Sequence, residues 1–175
     1  MLRPLLLLCL ALSACAPREV VSLVDHDLWE LADAQDPWPA HRPDPAECGA
    51  LSWSAEDSGG QESLEVDTQD CDYLVVGQDS LGEGQAGDTL RFRLWHFDLF
   101  SFDAAQAHAA VMVDGEPLFE QTVPIPSDSE MLITELELED ALPAGVPVVF
   151  HLHNHGSNVW NLLEVSVYPP GTLQE

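Results

Sequence analysis

The residues best equipped for chemistry in this sequence are its histidines, seven in all. His151, His153 and His155 recur at every second position, a spacing that puts side chains on one face of a β-strand. Phe150 and Leu152 occupy the alternate positions and take the core face, so His151 and His153 look away from it. By the same parity, a strand that buries Val111 and Val113 turns His108 outward. Between Thr89 and Phe97, Leu90, Phe92, Leu94 and His96 alternate with Arg91, Arg93, Trp95 and Phe97. If these strands are neighbours, one outward sheet face collects Arg93, Trp95, His108, His151 and His153.

Three kinds of chemistry fit such a face. Neutral imidazoles bind Zn²⁺ or Cu²⁺, and His108, His151 and His153 form a candidate metal set. Alternate strand residues stand ~7 Å apart, so His151 and His153 can share one ion only on a strongly twisted strand with cross-strand help from His108. An organic ligand such as a glycan is the second fit, with Trp95 or Trp160 stacking on a sugar ring and Arg93, Asn154 or Asn158 donating hydrogen bonds. In the third, the imidazoles are hydrogen-bonded packing groups that fix the last hairpin. His96, in line with Leu94, is expected to be buried and neutral with Asn154 as a neighbour. Asn158 and Asn161 flank Trp160 and are expected to cap the turn.

The elements that must position these residues are short strands. Runs at 64–67, 73–76, 89–97, 107–113, 118–123, 131–138, 146–154 and 159–168 are separated by Gly, Pro and Asp, with Asp114-Gly115 and His155-Gly156-Ser157-Asn158 reading as tight hairpin turns. Helical periodicity is almost absent. The pattern predicts an all-β fold, an antiparallel β-sandwich spanning 48–170. Residues 15–47 are rich in Asp, Ala and Pro and read as a tether leading into an irregular arm. Trp29 and Trp38 imply that this arm is partly packed, and a short helix is expected near Asp27 to Ala34, capped by Asp25 or Asp27.

Charge narrows the partners. The chain has 31 Asp plus Glu against 5 Lys plus Arg, a formal net charge of −26. Such a field repels phosphate backbones and anionic headgroups, so nucleic acid is not an expected partner. Asp67, Asp70 and Asp72 are dense but lack the D-x-D-x-D-G order of a calcium-binding helical loop. The chain contains no G-x-S-x-G, H-E-x-x-H or Gly-rich phosphate loop, so a non-catalytic role is expected.

The first residues carry an address. Met1-Leu2-Arg3-Pro4 is a short basic start, and Leu5 to Leu12 is an apolar run of signal-peptide length, well short of the ~20 residues that span a bilayer. Leu12-Ser13-Ala14-Cys15 resembles the lipobox of bacterial lipoproteins. That resemblance implies removal of 1–14, acylation of Cys15 and attachment to a lipid membrane, the outer membrane rather than the inner because Ala16, not Asp, follows the cysteine. Two acyl chains anchor stably at ~0.8 kcal/mol per buried CH₂. With Cys9 in the leader and Cys15 lipidated, Cys48 and Cys71 remain to pair as a disulfide in an oxidising compartment.

A broader resemblance concerns the core. Gly87-Asp88-Thr89-Leu90-Arg91-Phe92-Arg93-Leu94-Trp95, Val148 to Asn154 and Asn158 to Val165 together resemble the jelly rolls called galactose-binding-like, in which a closing hairpin carries an aromatic residue on its return strand. The stretches LWHF, AHAAV and HLHNHGSNVWNLLEV also resemble a family of bacterial lipoproteins of similar length. That likeness implies a class and carries no activity.

Overall fold

A computed structural model describes residues 17–173; Cys15 and the leader lie outside them. Eleven strands form two antiparallel sheets. In chain order they are β1 (Val21–Ser22), β2 (Glu30–Leu31), β3 (Trp53–Asp57), β4 (Glu62–Asp67), β5 (Tyr73–Asp79), β6 (Thr89–His96), β7 (Ala105–Val113), β8 (Glu116–Ile125), β9 (Glu130–Glu137), β10 (Pro147–His153) and β11 (Val159–Tyr168). One sheet runs β3-β4-β11-β6-β9 with β1 paired to β11; the other runs β2-β5-β10-β7-β8. The expected antiparallel β-sandwich of jelly-roll type is the fold observed.

Alternation builds its interior. Along β6 the residues Leu90, Phe92, Leu94 and His96 are buried while Thr89, Arg91, Arg93 and Trp95 are half-buried on the outer side. Facing them across the interior stand Val111, Phe119, Val148, Phe150 and Leu152. Phe92 meets Phe119 with ring centroids 5.9 Å apart. Burying one such side chain stabilises by roughly 1.5–3 kcal/mol.

Turn chemistry sets the connections. Asp114 (φ 52°) and Gly115 (φ 81°) both adopt the left-handed region and join β7 to β8 as the expected hairpin. The turn at 155–158 is different: β10 and β11 belong to opposite sheets, so it arches between layers rather than closing a hairpin. Gly156 has φ 92°, and a Cβ there would overlap the Phe100 carbonyl. The segment 97–104 therefore lies directly on this arch.

The N-terminal arm is more ordered than its composition suggests. Instead of one helix near 27–34, there are two single 3-10 turns, His26–Leu28 and Asp33–Gln35, with β2 between them. Asp25 caps the first turn by accepting from the Asp27 amide at 2.9 Å. The stretch is too short in apolar repeats to nucleate a longer helix, and Ala32 instead donates its amide to the Val75 carbonyl at 3.0 Å. A third 3-10 turn, Pro39–His41, follows. The arm ends at the Cys48–Cys71 disulfide, which pairs as expected.

The chain joins the sandwich at one end. Val21 pairs with Val167 and Ser22 with Ser166, and Arg18 makes a two-pronged ion pair with Asp88 at 2.6 Å. The Arg18 guanidinium holds the Asp88 carboxyl below its ordinary range. From Tyr168 back to Val159, β11 covers roughly 30 Å at the strand rise of ~3.3 Å per residue. The 155–158 arch and the 97–104 segment thus sit at the far end from residues 18–22.

Candidate functional site

β10 occupies the middle of its sheet, between β5 and β7. Its register places His151 opposite Ala110 and Val75, and His153 opposite His108 and Tyr73. His108, His151 and His153 therefore do share the outer face of one sheet. The His108 and His151 rings lie 5.1 Å apart, and the His155 ring in the arch lies 4.7 Å from that of His153, tilted 56° to it.

Arg93, Trp95 and Trp160 do not join them. Arg93 and Trp95 stand on β6, which pairs with β11 and β9 in the opposite sheet. Arg93 there faces Glu164 at 3.5 Å, and Trp95 packs edge-on to Phe97 at 6.0 Å. Alternation correctly gives which way a strand residue points, but it carries no information about which sheet the strand joins. Trp160 is fully buried, packed against the tilted His96 ring at 4.7 Å and donating its indole N–H to Asn154 at 3.2 Å, so it offers no surface to a sugar. His96 is buried as expected, with Nδ1 2.8 Å from the Phe97 carbonyl, and meets Asn154 only through Trp160. Asn158 does cap the arch, accepting from the Phe100 amide at 2.7 Å and donating to the His155 carbonyl at 3.0 Å.

The histidine face is not open to solvent along its whole length. The arm crosses it and lays Trp38 over His108 and His151, at 5.0 and 5.1 Å. The Tyr73 hydroxyl donates to Asp36 at 2.9 Å, and the Arg42 guanidinium lies 5.2 Å from the Tyr73 ring. Burial, and then the neighbouring His108 and His153, push the His151 imidazole down to about 3. His153 is lowered too, by burial and then by His155. Both rings are neutral at physiological pH.

Beyond the edge of the arm a groove remains, with a volume of about 670 Å³, lined by His41, Gln106, His108, Thr122, His153 and His155 over a floor of alanines. His41, contributed by the arm, stands 5.3 Å from His108. His108 Nε2 meets Glu120 Oε1 at 2.9 Å, which fixes its other nitrogen as an acceptor when the ring is neutral. The lining contains no Asp, Glu, Lys or Arg. In a chain this acidic, a carboxylate-free lining is a distinct surface. The segment 97–104, whose last residue Ala104 belongs to the lining, exposes Phe97, Phe100 and Phe102, the last completely.

His41, Gln106, Thr122 and the two phenylalanines at 100 and 102 escape a sequence reading. The cue that was available is the F-D-L-F-S-F-D run, where hydrophobic residues fall outside any strand pattern. Among the described residues no group of three or more His, Cys, Asp or Glu side chains is set to hold a metal ion. Trp38 occupies the space above His108 and His151 where a third ligand would approach.

No protein-family profile matches the chain, and no curated protein matches it in sequence. Solved structures with a similar sandwich include a Caldicellulosiruptor saccharolyticus family 27 carbohydrate-binding module in complex with mannohexaose, at TM-score 0.48 and 12% identity over 90% of this chain and 100% of that one. Others are a family 16 carbohydrate-binding module, at TM-score 0.43 and 10% identity over 69% and 87%, and the CBM22-2 xylan-binding domain of Paenibacillus barcinonensis Xyn10C, at 0.41 and 7% over 86% and 98%. At these identities the likeness concerns the β-sandwich alone.

Proposed function

We propose that this protein is a non-catalytic binding module for a neutral, polyhydroxylated ligand, a glycan, taken up in the groove of His41, Gln106, His108, Thr122, His153 and His155. The carrying observation is the composition of that lining. It offers hydrogen-bond donors and acceptors and no Asp, Glu, Lys or Arg side chain, in a chain with 31 Asp plus Glu. A neutral imidazole supplies one donor and one acceptor, which matches the dual character of a hydroxyl. Phe100 and Phe102 supply exposed aromatic faces for the apolar side of a sugar ring.

In this reading the module is displayed from a lipid membrane, the outer membrane, through acylated Cys15. The tether joins the sandwich beside Asp88 and Val167, so the groove faces away from the anchored end. Cys15→Ala is expected to move the protein from the membrane to the soluble fraction, and mass spectrometry of the mature N-terminus should show an acylated cysteine. An unmodified N-terminus elsewhere contradicts the anchor.

A glycan array followed by titration calorimetry on the mature domain tests the ligand class. Neutral oligosaccharides are expected to bind and to be recovered uncleaved. Phe102→Ala and His153→Ala should each weaken binding by ~3- to 10-fold, with little change in thermal stability. Trp95→Ala should leave affinity unchanged. Loss of binding on Trp95→Ala with none on Phe102→Ala places the site on the opposite sheet and overturns this assignment.

A further inference from the structure

Residues 32–47 have the form of a strap. One end is held where the Ala32 amide bonds to Val75 and where β2 pairs with β5. The other end is held by the Cys48–Cys71 disulfide. Between the ties, the strap contacts the sheet mainly through Trp38, set over two imidazoles, and through the Tyr73–Asp36–Arg42 latch. The surface beneath is unusual for a buried one. His151 is completely buried, yet neither of its ring nitrogens has a hydrogen-bond partner, and Nδ1 of buried His108 has none either. Buried polar groups are nearly always partnered; these three ring nitrogens are not.

We propose that residues 32–47 are an acid-released strap: protonation of His151 beneath Trp38 lifts the strap from the sheet and removes His41 from the groove wall. The groups facing His151 leave a proton there uncompensated. From β7 comes His108, from β10 its own neighbour His153, from β5 the Tyr73 phenol, and from the strap His41 and Trp38. The nearby carboxylates are engaged elsewhere. Asp36 accepts from Tyr73 and lies 3.6 Å from Arg42, Asp33 binds Arg42, Glu120 binds His108, and Asp72 accepts from the Glu47 amide.

The direction follows from His151. Covered, its imidazole is driven by burial to about 3; lifted into water it returns to ~6.5. The open form therefore takes up the proton more readily. The covered arrangement keeps its full stability above ~6.5 and loses it progressively as pH falls toward about 3. From His151 alone the covered-to-open ratio should fall ~30-fold between pH 7.5 and 5.0. His153, lowered in the same direction, adds to the fall. Because the strap is tied at both ends, release is local and leaves the sandwich folded.

Hydrogen exchange on the mature, disulfide-intact protein tests this without any ligand. After correction for intrinsic exchange rates, amides in 32–47 are expected to lose protection between pH 7.5 and 5.0, while β10 and β11 keep theirs. His151→Leu should retain strap protection at pH 5.0. Equal strap protection at both pH values in the unaltered protein overturns the proposal, as does loss of protection in His151→Leu identical to that of the parent. If the leucine variant does not fold, the His151 ring resonances decide: titration near 6.5 with the strap still protected overturns it, and titration coincident with strap release supports it. The regulatory consequence, weaker glycan binding at pH 5.0, rests on the binding reading above. A protein that binds no glycan but releases its strap refutes that reading and leaves the switch standing.

Discussion

Trp160→Ala is expected to lower the free energy of unfolding by ~3–5 kcal/mol, the range for emptying a large aromatic from a well-packed core. Trp160 is among the largest fully buried side chains, and it also organises a polar cluster at the groove end. Its indole donates to Asn154 Oδ1 at 3.2 Å; Asn154 Nδ2 donates to Thr68 at 2.8 Å; Asn158 donates its amide to the same Thr68 hydroxyl at 2.9 Å. Removing the indole leaves the Asn154 oxygen only the longer 3.4 Å donation from Asn158 Nδ2, which adds to the cavity cost. Denaturant unfolding followed by circular dichroism measures the loss. A change below about 1 kcal/mol would show that the site collapses without penalty.

Breaking the disulfide should have the next largest effect. Cys48 and Cys71 are 23 residues apart, and in the chain-entropy model closing such a loop stabilises by ~3 kcal/mol. The Cys48→Ser, Cys71→Ser double variant is expected to lose about that much. It also loses the second tie of the strap, so protection in 32–47 should fall at neutral pH, before any protonation. A variant with unchanged strap protection would show that Trp38 and the Asp36 latch hold the strap alone.

The parts of this molecule legible in its sequence are those that short-range patterns encode. The period-two alternation of Leu90, Phe92 and Leu94 gives a strand and its buried face. The same rule turns His151 and His153 away from the sandwich interior, as observed. Asp114-Gly115 is readable because its backbone needs two residues that tolerate positive φ. The pairing of Cys48 with Cys71 follows from elimination and compartment.

What could not be read depends on long-range pairing. Nothing local to β6 says that it joins β11 and β9 rather than β7, so Trp95 and Arg93 cannot be separated from His108 by pattern alone. Outward from the interior also proved different from exposed. The arm covers His151 with Trp38, and the contact joins residues more than a hundred positions apart. Pro37, Pro39, Pro43 and Pro45 lie in a stretch that reads as a tether leading into an irregular, partly packed arm, and fixed φ angles also suit a strap laid flat on a sheet. The short strand β3 is likewise masked by its serines and acids, because as an edge strand it needs only one partly apolar face.

A neutral glycan is proposed to bind at the end of the sandwich remote from Val21 and Val167. Backbone amide chemical shifts of the mature domain, followed during titration with a neutral oligosaccharide selected on the array, test it most directly. Saturable shifts are expected at His41, Phe100 to His108, Thr122 and His153 to His155, with β6 and β9 undisturbed. Shifts centred on Arg93 and Trp95, or binding that leaves the groove resonances unmoved, would contradict it.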